Sequence, residues 1–473
     1  MTTPRDEPMT KQQRRILAAV LVPVFMTLLA VSSINVVLPT LQQSIDATDS
    51  QLQWVLSGYT LVFGALLVPA GRAGDALGRG RLFVLGLTLF GLGSLLSGLA
   101  TSGELLVASR FLMGAGSGLL NPQPIGMIQQ YFEGRRRARA FASFGAAVGL
   151  SVAIGPIMGG AFVEFSGPDW GWRLSLLVNV PIALLAIGLA WWWFPRQTFA
   201  RRPEGSRVDL DPVGTLLFTA AVLLFMLPFL ERSAGPRIFL LVPVGLALVG
   251  LWLAWERRHE RSGGIPMVDL GLFRVRSYAL GVLLIALQFL GVTSVWVVLA
   301  LYLQNGLGAS ALAVGLAGLP SAVATGLCST WSGRVVLEMG RKVVALGIVL
   351  VLVSVLSSIA VVWAHHTHGV SPWWLAATLT LLGAGQGMVV SPNQTLSLMA
   401  VPHQRSGAAG ALIQTGQRVG TAVGIAFITA VFFVLQPQIG WDGAFMVAYG
   451  VIAAIVVASL LVALLDVRLA RRD

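Results

Sequence analysis

Long apolar runs recur fourteen times along this chain of 473 residues, with arginine collected in alternate short loops between them, and that alternation restricts the fold more than any other feature. The first run covers about residues 15–39 and the last about 442–466. A helix needs about 20 residues, rising ~1.5 Å each, to cross a hydrocarbon layer ~30 Å thick. Only 11% of the residues are charged and the mean hydropathy is +0.80, whereas a soluble globule carries roughly 25% charged residues. The sequence therefore reads as an all-α polytopic membrane protein. No loop is long enough to fold as a separate soluble domain. The run after the polar residues 1–13 is too long for a signal-peptide core and lacks a clear small-x-small cleavage site, so it reads as a retained first span.

Charge tests the count. The net charge is +12, and 27 of the 32 arginines and lysines fall in alternate loops. Basic residues collect on the cytoplasmic side of membrane proteins, so an even count with both termini cytoplasmic is expected. The same distribution argues against a nucleic-acid partner, because the charges lie in short loops between spans. Only Lys11 and Lys342 are lysine, a bias that suggests a GC-rich bacterial genome and hence the bacterial cytoplasmic membrane. The single cysteine, Cys328, lies in an apolar run, which leaves no disulfide framework and no thiolate metal site.

The chain also repeats. Gly71-Arg72-Ala-Gly-Asp75-Ala-Leu-Gly78-Arg79 follows the second run, and Gly333-Arg334-Val-Val-Leu337-Glu338-Met-Gly340-Arg341 follows the tenth. Gly114-Ala-Gly116-Ser-Gly118 in run four matches Gly383-Ala-Gly385-Gln-Gly387 in run twelve. An offset of eight runs is explained by two six-helix bundles, residues 1–194 and 277–473, separated by residues 195–276 carrying two inserted helices. Paired bundles of this kind are the architecture of transporters that rock about a shared midplane site.

Several stretches together resemble the major facilitator superfamily, and within it the fourteen-span drug:proton antiporter branch. Gly71 to Arg81 resembles the loop motif between spans two and three, preceded by Gln53-Trp54 and Tyr59. Arg110 with Gly114 and Gly116 resembles the span-four motif. Gly149-Leu-Ser151-Val-Ala-Ile-Gly155-Pro156-Ile-Met-Gly159-Gly160 resembles the span-five motif of antiporters. Trp172-Arg173 with Asn179-Val-Pro181, and Gln417-Arg418-Val-Gly420, resemble patterns of spans six and thirteen. There are departures. Ala30 occupies the position where the branch has a span-one aspartate, Ala76 stands for a usual arginine, and Met113 for a usual glutamine.

The resemblance implies that Asp75, framed by Gly71, Gly78 and Arg79, is a conformational switch. Its carboxylate would meet an arginine and a helix N-terminus of the other half only in the outward-facing state; a solvated loop acid is the plain alternative. Gly149, Gly155, Pro156, Gly159 and Gly160 would form an antiporter hinge, or simply a small-residue packing face with a proline bend. Arg418 lies about thirteen residues into its run, hence ~20 Å deep at ~1.5 Å per residue. It would hold an anionic substrate group, act in coupling, or bind carbonyls and glutamines as glue between helices. Arg110 would line the cavity or reach outward. Ser33, Asn35, Gln53, Tyr59, Asn121, Gln123, Gln288, Gln386, Asn393 and Gln414 are further cavity candidates, each of which also suits interhelical hydrogen bonding. His365, His366 and His368 form a short tract that suits a metal, a pH sensor or a solvated loop.

A proton antiporter commonly uses a carboxylate buried in the membrane. All twenty acidic residues lie in loops or within about one turn of a run's end. No nucleotide-binding or catalytic motif is present, so a proton gradient, without a cofactor, is the expected energy source. The reading is a non-enzymatic secondary exporter of hydrophobic or amphipathic compounds, acting as a monomer in the lipid bilayer. The arginines and the absent midplane acid favour neutral or anionic substrates over dications. An uncoupled facilitator or lipid flippase of the same fold is the second reading, and a non-transporting membrane sensor the third.

Overall fold

The computed structural model describes residues 8–200, 210–230, 235–399, 401–402 and 405–469. Arg5, Arg201, Arg202, Arg207, Arg232, Arg471 and Arg472 of the basic set lie outside these residues. Fourteen α-helices follow in order: α1 (Lys11–Ser44), α2 (Asp49–Leu77), α3 (Arg79–Gly98), α4 (Gly103–Leu120), α5 (Pro122–Tyr131), α6 (Gly134–Leu177), α7 (Asn179–Trp193), α8 (Pro212–Leu230), α9 (Leu241–Arg261), α10 (Arg276–Leu301), α11 (Ala311–Met339), α12 (Arg341–His368), α13 (Leu375–Leu398) and α14 (Ser406–Leu469). No strand occurs among the described residues. Local chemistry sets several starts. Thr10 and Thr48 form reciprocal capping boxes with Gln13 and Gln51, and Ser102 and Ser310 cap α4 and α11.

Eleven stretches of the described residues are long and apolar enough to cross a membrane. Two contain a reversal. In α14 the backbone turns at Gly440, at φ 71° and ψ −178°, a conformation open to glycine. Before the turn the helix runs alongside α10, with the Tyr278 hydroxyl donating to the Ala409 carbonyl and Thr293 bonded to Thr421. After it the chain runs back along α10, joining Asp442 to Tyr302, Tyr449 to Val295 and Ser459 to Gln288. Gly167 in α6 does the same at φ 77°, and Gly171 then packs so closely on Val163 that a Cβ would meet its Cα at 2.4 Å. With α4 and α5 as one further crossing, the helices form the fourteen crossings expected from the sequence.

The sequence repeat is expressed in packing. A Cβ on Gly116 would lie 2.4 Å from the Phe90 nitrogen of α3, and one on Gly385 would lie 2.5 Å from the Gly347 carbonyl of α12. Gly114 and Gly118 meet α2, while Gly383 and Gly387 meet α11. Each glycine-rich helix is thus wedged the same way against the second and third helices of its own set. Close approach through small residues is how helices associate where lipid offers no hydrophobic drive.

The inserted pair is asymmetric. Helix α8 lies on α2 and α14, with Gln53 donating to the Leu230 carbonyl at 2.9 Å and Met226 against Gly64. Helix α9 is peripheral, only 11% of its apolar window being buried against 67% for α2. Residues 262–275 then cross the arginine-rich face, where Asp269 pairs with Arg405.

Candidate functional site

The turn between α2 and α3 is held at Gly78, whose φ of 102° suits glycine. It places Asp75 and Arg79 at the N-terminus of α14. The Asp75 carboxylate is fully buried and accepts from Arg79 at 2.7 Å and from the amides of Gly407 and Ala408 at 3.1 and 3.2 Å. Free amides and the helix dipole make such a terminus a natural anion site. Arg79 continues the clasp, donating to the Gly126 carbonyl at 2.6 Å, to Gln130 at 2.9 Å and to the Ser406 hydroxyl at 2.9 Å. Gly71 is required beside it, because a Cβ there would stand 2.6 Å from the Gly407 carbonyl oxygen. The structure therefore does not leave Asp75 as a solvated loop acid.

Other bonds join residues 1–194 to residues 277–473. Gln129 donates to the Leu398 carbonyl, Arg135 pairs with Glu338, Ser329 donates to the Ala142 carbonyl, and Gln414 reaches the Asn121 carbonyl at 3.5 Å. With the Asp75 clasp, these contacts cluster between the arginine-rich face and the middle of the molecule.

Arg418 stands at the inner limit of that closed region. Its guanidinium lies 4.3 Å from the Phe63 ring centroid, a cation–π contact from α14 to α2. Its Nε is buried without a hydrogen-bond partner. Arg110 is placed differently. It is 1% exposed, donates from Nε to the Val55 carbonyl at 2.9 Å and packs 4.6 Å from the Tyr59 ring. It neither reaches outward nor stands free, but ties α4 to α2. Tyr59, bonded to Ser117 at 2.7 Å, and Phe63 fill the space between the two arginines.

Most remaining polar candidates also join helices. Gln123 donates to the Ala70 carbonyl of α2 and to the Leu119 carbonyl, whereas the Asn121 side chain bonds locally, to the Ser117 carbonyl one turn back in α4. Gln288 is bonded to Gln386 and Ser459, and Asn393 to Arg341 and Gly281. Ser33 is buried without a partner. The side chains of Asn35 and Pro156 lie outside the described residues. Through Gly149–Gly160 the helix α6 is unbroken; the non-helical residue in α6 is Gly167. The stretch has two neighbours. Gly149 faces Thr325 of α11, whereas Gly155 and Gly159 face Ser32 and Ser33 of α1, and Gly160 meets only Val36, at 3.9 Å.

The sequence matches the Major Facilitator Superfamily over residues 20–424 and 281–472. This chain belongs to that superfamily. A probable actinorhodin transporter of Streptomyces coelicolor is 33% identical over 86% of this chain and 70% of its own length. A multidrug resistance protein of Mycobacterium tuberculosis is 30% identical over 89% of this chain and 76% of its own. The human organic anion transporter MFSD10 shares the fold, with a TM-score of 0.68 over 97% of this chain and all of the other at 15% identity. The protein is thus a multi-pass membrane transporter rather than an enzyme.

This major facilitator protein also contains buried charges that sequence position understated. Asp466, near the end of α14, is 1% exposed and pairs with Arg341 at 2.7 Å, with Arg276 at 3.7 Å. Arg341 is the repeat counterpart of Arg79, and that correspondence was the available signal. Asp211 accepts from the Trp255 indole and Glu256 from the Trp252 indole, both at 2.8 Å and both fully buried at the arginine-rich ends of the inserted pair. Of the histidine tract, His366 meets Asp442 at 2.9 Å, while His365 bonds the Val370 carbonyl.

Proposed function

We propose that this protein is a secondary active exporter of hydrophobic or amphipathic compounds in the bacterial cytoplasmic membrane. In this reading both termini are cytoplasmic, the protein acts as a monomer, and two six-helix bundles, residues 1–194 and 277–473, rock about a central cavity. The observation that carries the reading is the Asp75 clasp. It closes the arginine-rich face between α2 and α14, which is the arrangement of an outward-facing transporter. The drug and antibiotic roles of the curated relatives support an export substrate of this kind.

Proton antiport is the proposed drive. The span-one position is Ala30, buried and unable to carry a proton. Coupling then falls to the buried carboxylates near the cytoplasmic face, Asp75, Asp211, Glu256 and Asp466. The same Ala30 favours a second reading, an uncoupled facilitator or flippase. Flux of a hydrophobic fluorescent dye in proteoliposomes, with and without an imposed pH gradient, separates them. Antiport predicts accumulation against the dye gradient only when the gradient is imposed. Equal downhill flux in both conditions supports the facilitator, and no flux contradicts both.

A further inference from the structure

Helix α14 presents Gly407, Ala411, Thr415 and Arg418 at three- and four-residue spacing, so they share one face. Gly407 and Ala411 meet Gly71 of α2, and Arg418 meets Phe63 and Gly64 farther along the same helix. Two polar groups on this stripe are buried and lack hydrogen-bond partners, the Thr415 hydroxyl and Arg418 Nε. Arg418 forms no ion pair among the described residues; the face of Phe63, 4.3 Å away, supplies its nearest compensation. Arginine combines a fixed fork of donors with weak hydration, a geometry matched to carboxylate, sulfonate and phosphate oxygens. The Arg418 side chain is half-buried: its Nε is enclosed, while the rest of the guanidinium stays accessible and has no hydrogen-bond partner among the described residues, so its donors are open to a ligand.

The position supplies the reason. The Asp75 clasp and the Arg418–Phe63 contact lie on the same α2–α14 seam, about eleven residues or ~16 Å apart along α14 at ~1.5 Å per residue. Because Phe63 belongs to α2 and Arg418 to α14, parting the two helices at the clasp would withdraw the ring from the guanidinium and open Thr415 and Arg418 toward the arginine-rich face.

We propose that Arg418, with the Thr415 hydroxyl one turn toward the clasp, is an anion-binding subsite of the transport cavity, and that Phe63 is its internal competitor. With the seam open, the guanidinium takes the anionic group of an amphipathic substrate. With the seam closed, the Phe63 ring occupies one face of the guanidinium and the anion is released to the outer side. Charge recognition is thereby linked to direction. This inference rests on the exporter reading for its direction of movement, but the site itself is tested by binding.

The test uses the full chain in phosphatidylcholine nanodiscs and a fluorescent probe pair, 11-(dansylamino)undecanoate and its uncharged primary amide. The wild type is expected to bind the carboxylate at least tenfold more tightly than the amide. Arg418→Gln should abolish that preference while leaving amide affinity within twofold, and Arg418→Lys should retain part of it. Phe63→Leu should tighten carboxylate binding severalfold and slow its release. Equal affinity of the wild type for both probes overturns the proposal, as does equal weakening of both probes by Arg418→Gln, the mark of a packing role. Displacement of the probe by phosphatidylglycerol would identify a lipid phosphate as the anion, and failure to displace it would identify a free amphipath; both outcomes keep the anion on Arg418. Charge-selective binding without any proteoliposome flux contradicts the exporter reading and leaves the site standing.

Discussion

Arg79 shows how much a single side chain can be asked to do. Its guanidinium serves Asp75, the Gly126 carbonyl, Gln130 and the Ser406 hydroxyl at once. Lysine has the charge but neither the planar fork nor the reach for four partners. Arg79→Lys is expected to reduce transport tenfold or more while the protein still inserts and folds, measured by dye efflux normalised to membrane level. The Arg135–Glu338 pair is the counter-example. It also bridges the two sets of helices, but its side chains are 42% and 61% exposed. Exposed pairs contribute about 0–1 kcal/mol, so Glu338→Gln should leave efflux within about twofold of wild type. Asp75 and Arg79 were legible as a motif in the sequence. Asp466 was legible only from the other side: the repeat marks Arg341 as the counterpart of Arg79, but a carboxylate near a helix end far along the chain gives no sign that it is the partner.

At the level of helices, the glycines of α6 carry two different contacts. A Cβ on Gly155 would collide with the Ser32 side chain and come within 3.0 Å of the Ser33 nitrogen, so α1 packs directly against the backbone of α6. The Ser32 hydroxyl adds a bond to the Ser151 carbonyl at 3.2 Å. Gly149 instead abuts Thr325 of α11, across the seam that parts in the proposed rocking. Gly155→Leu is expected to stop transport or open a leak at near-normal expression, read by efflux and by passive dye entry. Gly149→Leu should act on the opposite seam and hold it open, increasing modification of Ser329→Cys, in a Cys328→Ser background, by a membrane-impermeant maleimide applied from the cytoplasmic side. The small-residue spacing made this face readable in advance. The partner on each side was not, because spacing identifies a face without saying which helix lies against it. The reversals at Gly167 and Gly440 were visible only as breaks between apolar runs, since a single glycine in left-handed φ carries no pattern of its own.

For the molecule as a whole, apolar length and the placement of arginine reveal the crossings, and the repeated glycine pattern reveals the two sets of helices. The route of the inserted pair was hidden, because α8 and the membrane-spanning turns of α9 carry no polar face that would select a neighbour. Their actual place, with α8 on α2 and α14 and residues 265–269 against Arg72 and Arg405, puts them beside the clasp. In the proposed cycle the α2–α14 seam is the inner gate, and Asp75 holds it shut. Spin labels at Glu133→Cys and Met399→Cys, both exposed at the arginine-rich face, report its opening in a Cys328→Ser background. Thr101→Cys with Leu307→Cys reports the opposite side. Pulsed electron–electron distance measurements on both pairs, with and without Asp75→Asn, are the most direct test. A short distance is expected between the first pair in the parent protein. Asp75→Asn should add a population several ångströms longer, with a matching shortening of the second pair. Unchanged distributions at both pairs would contradict the gate.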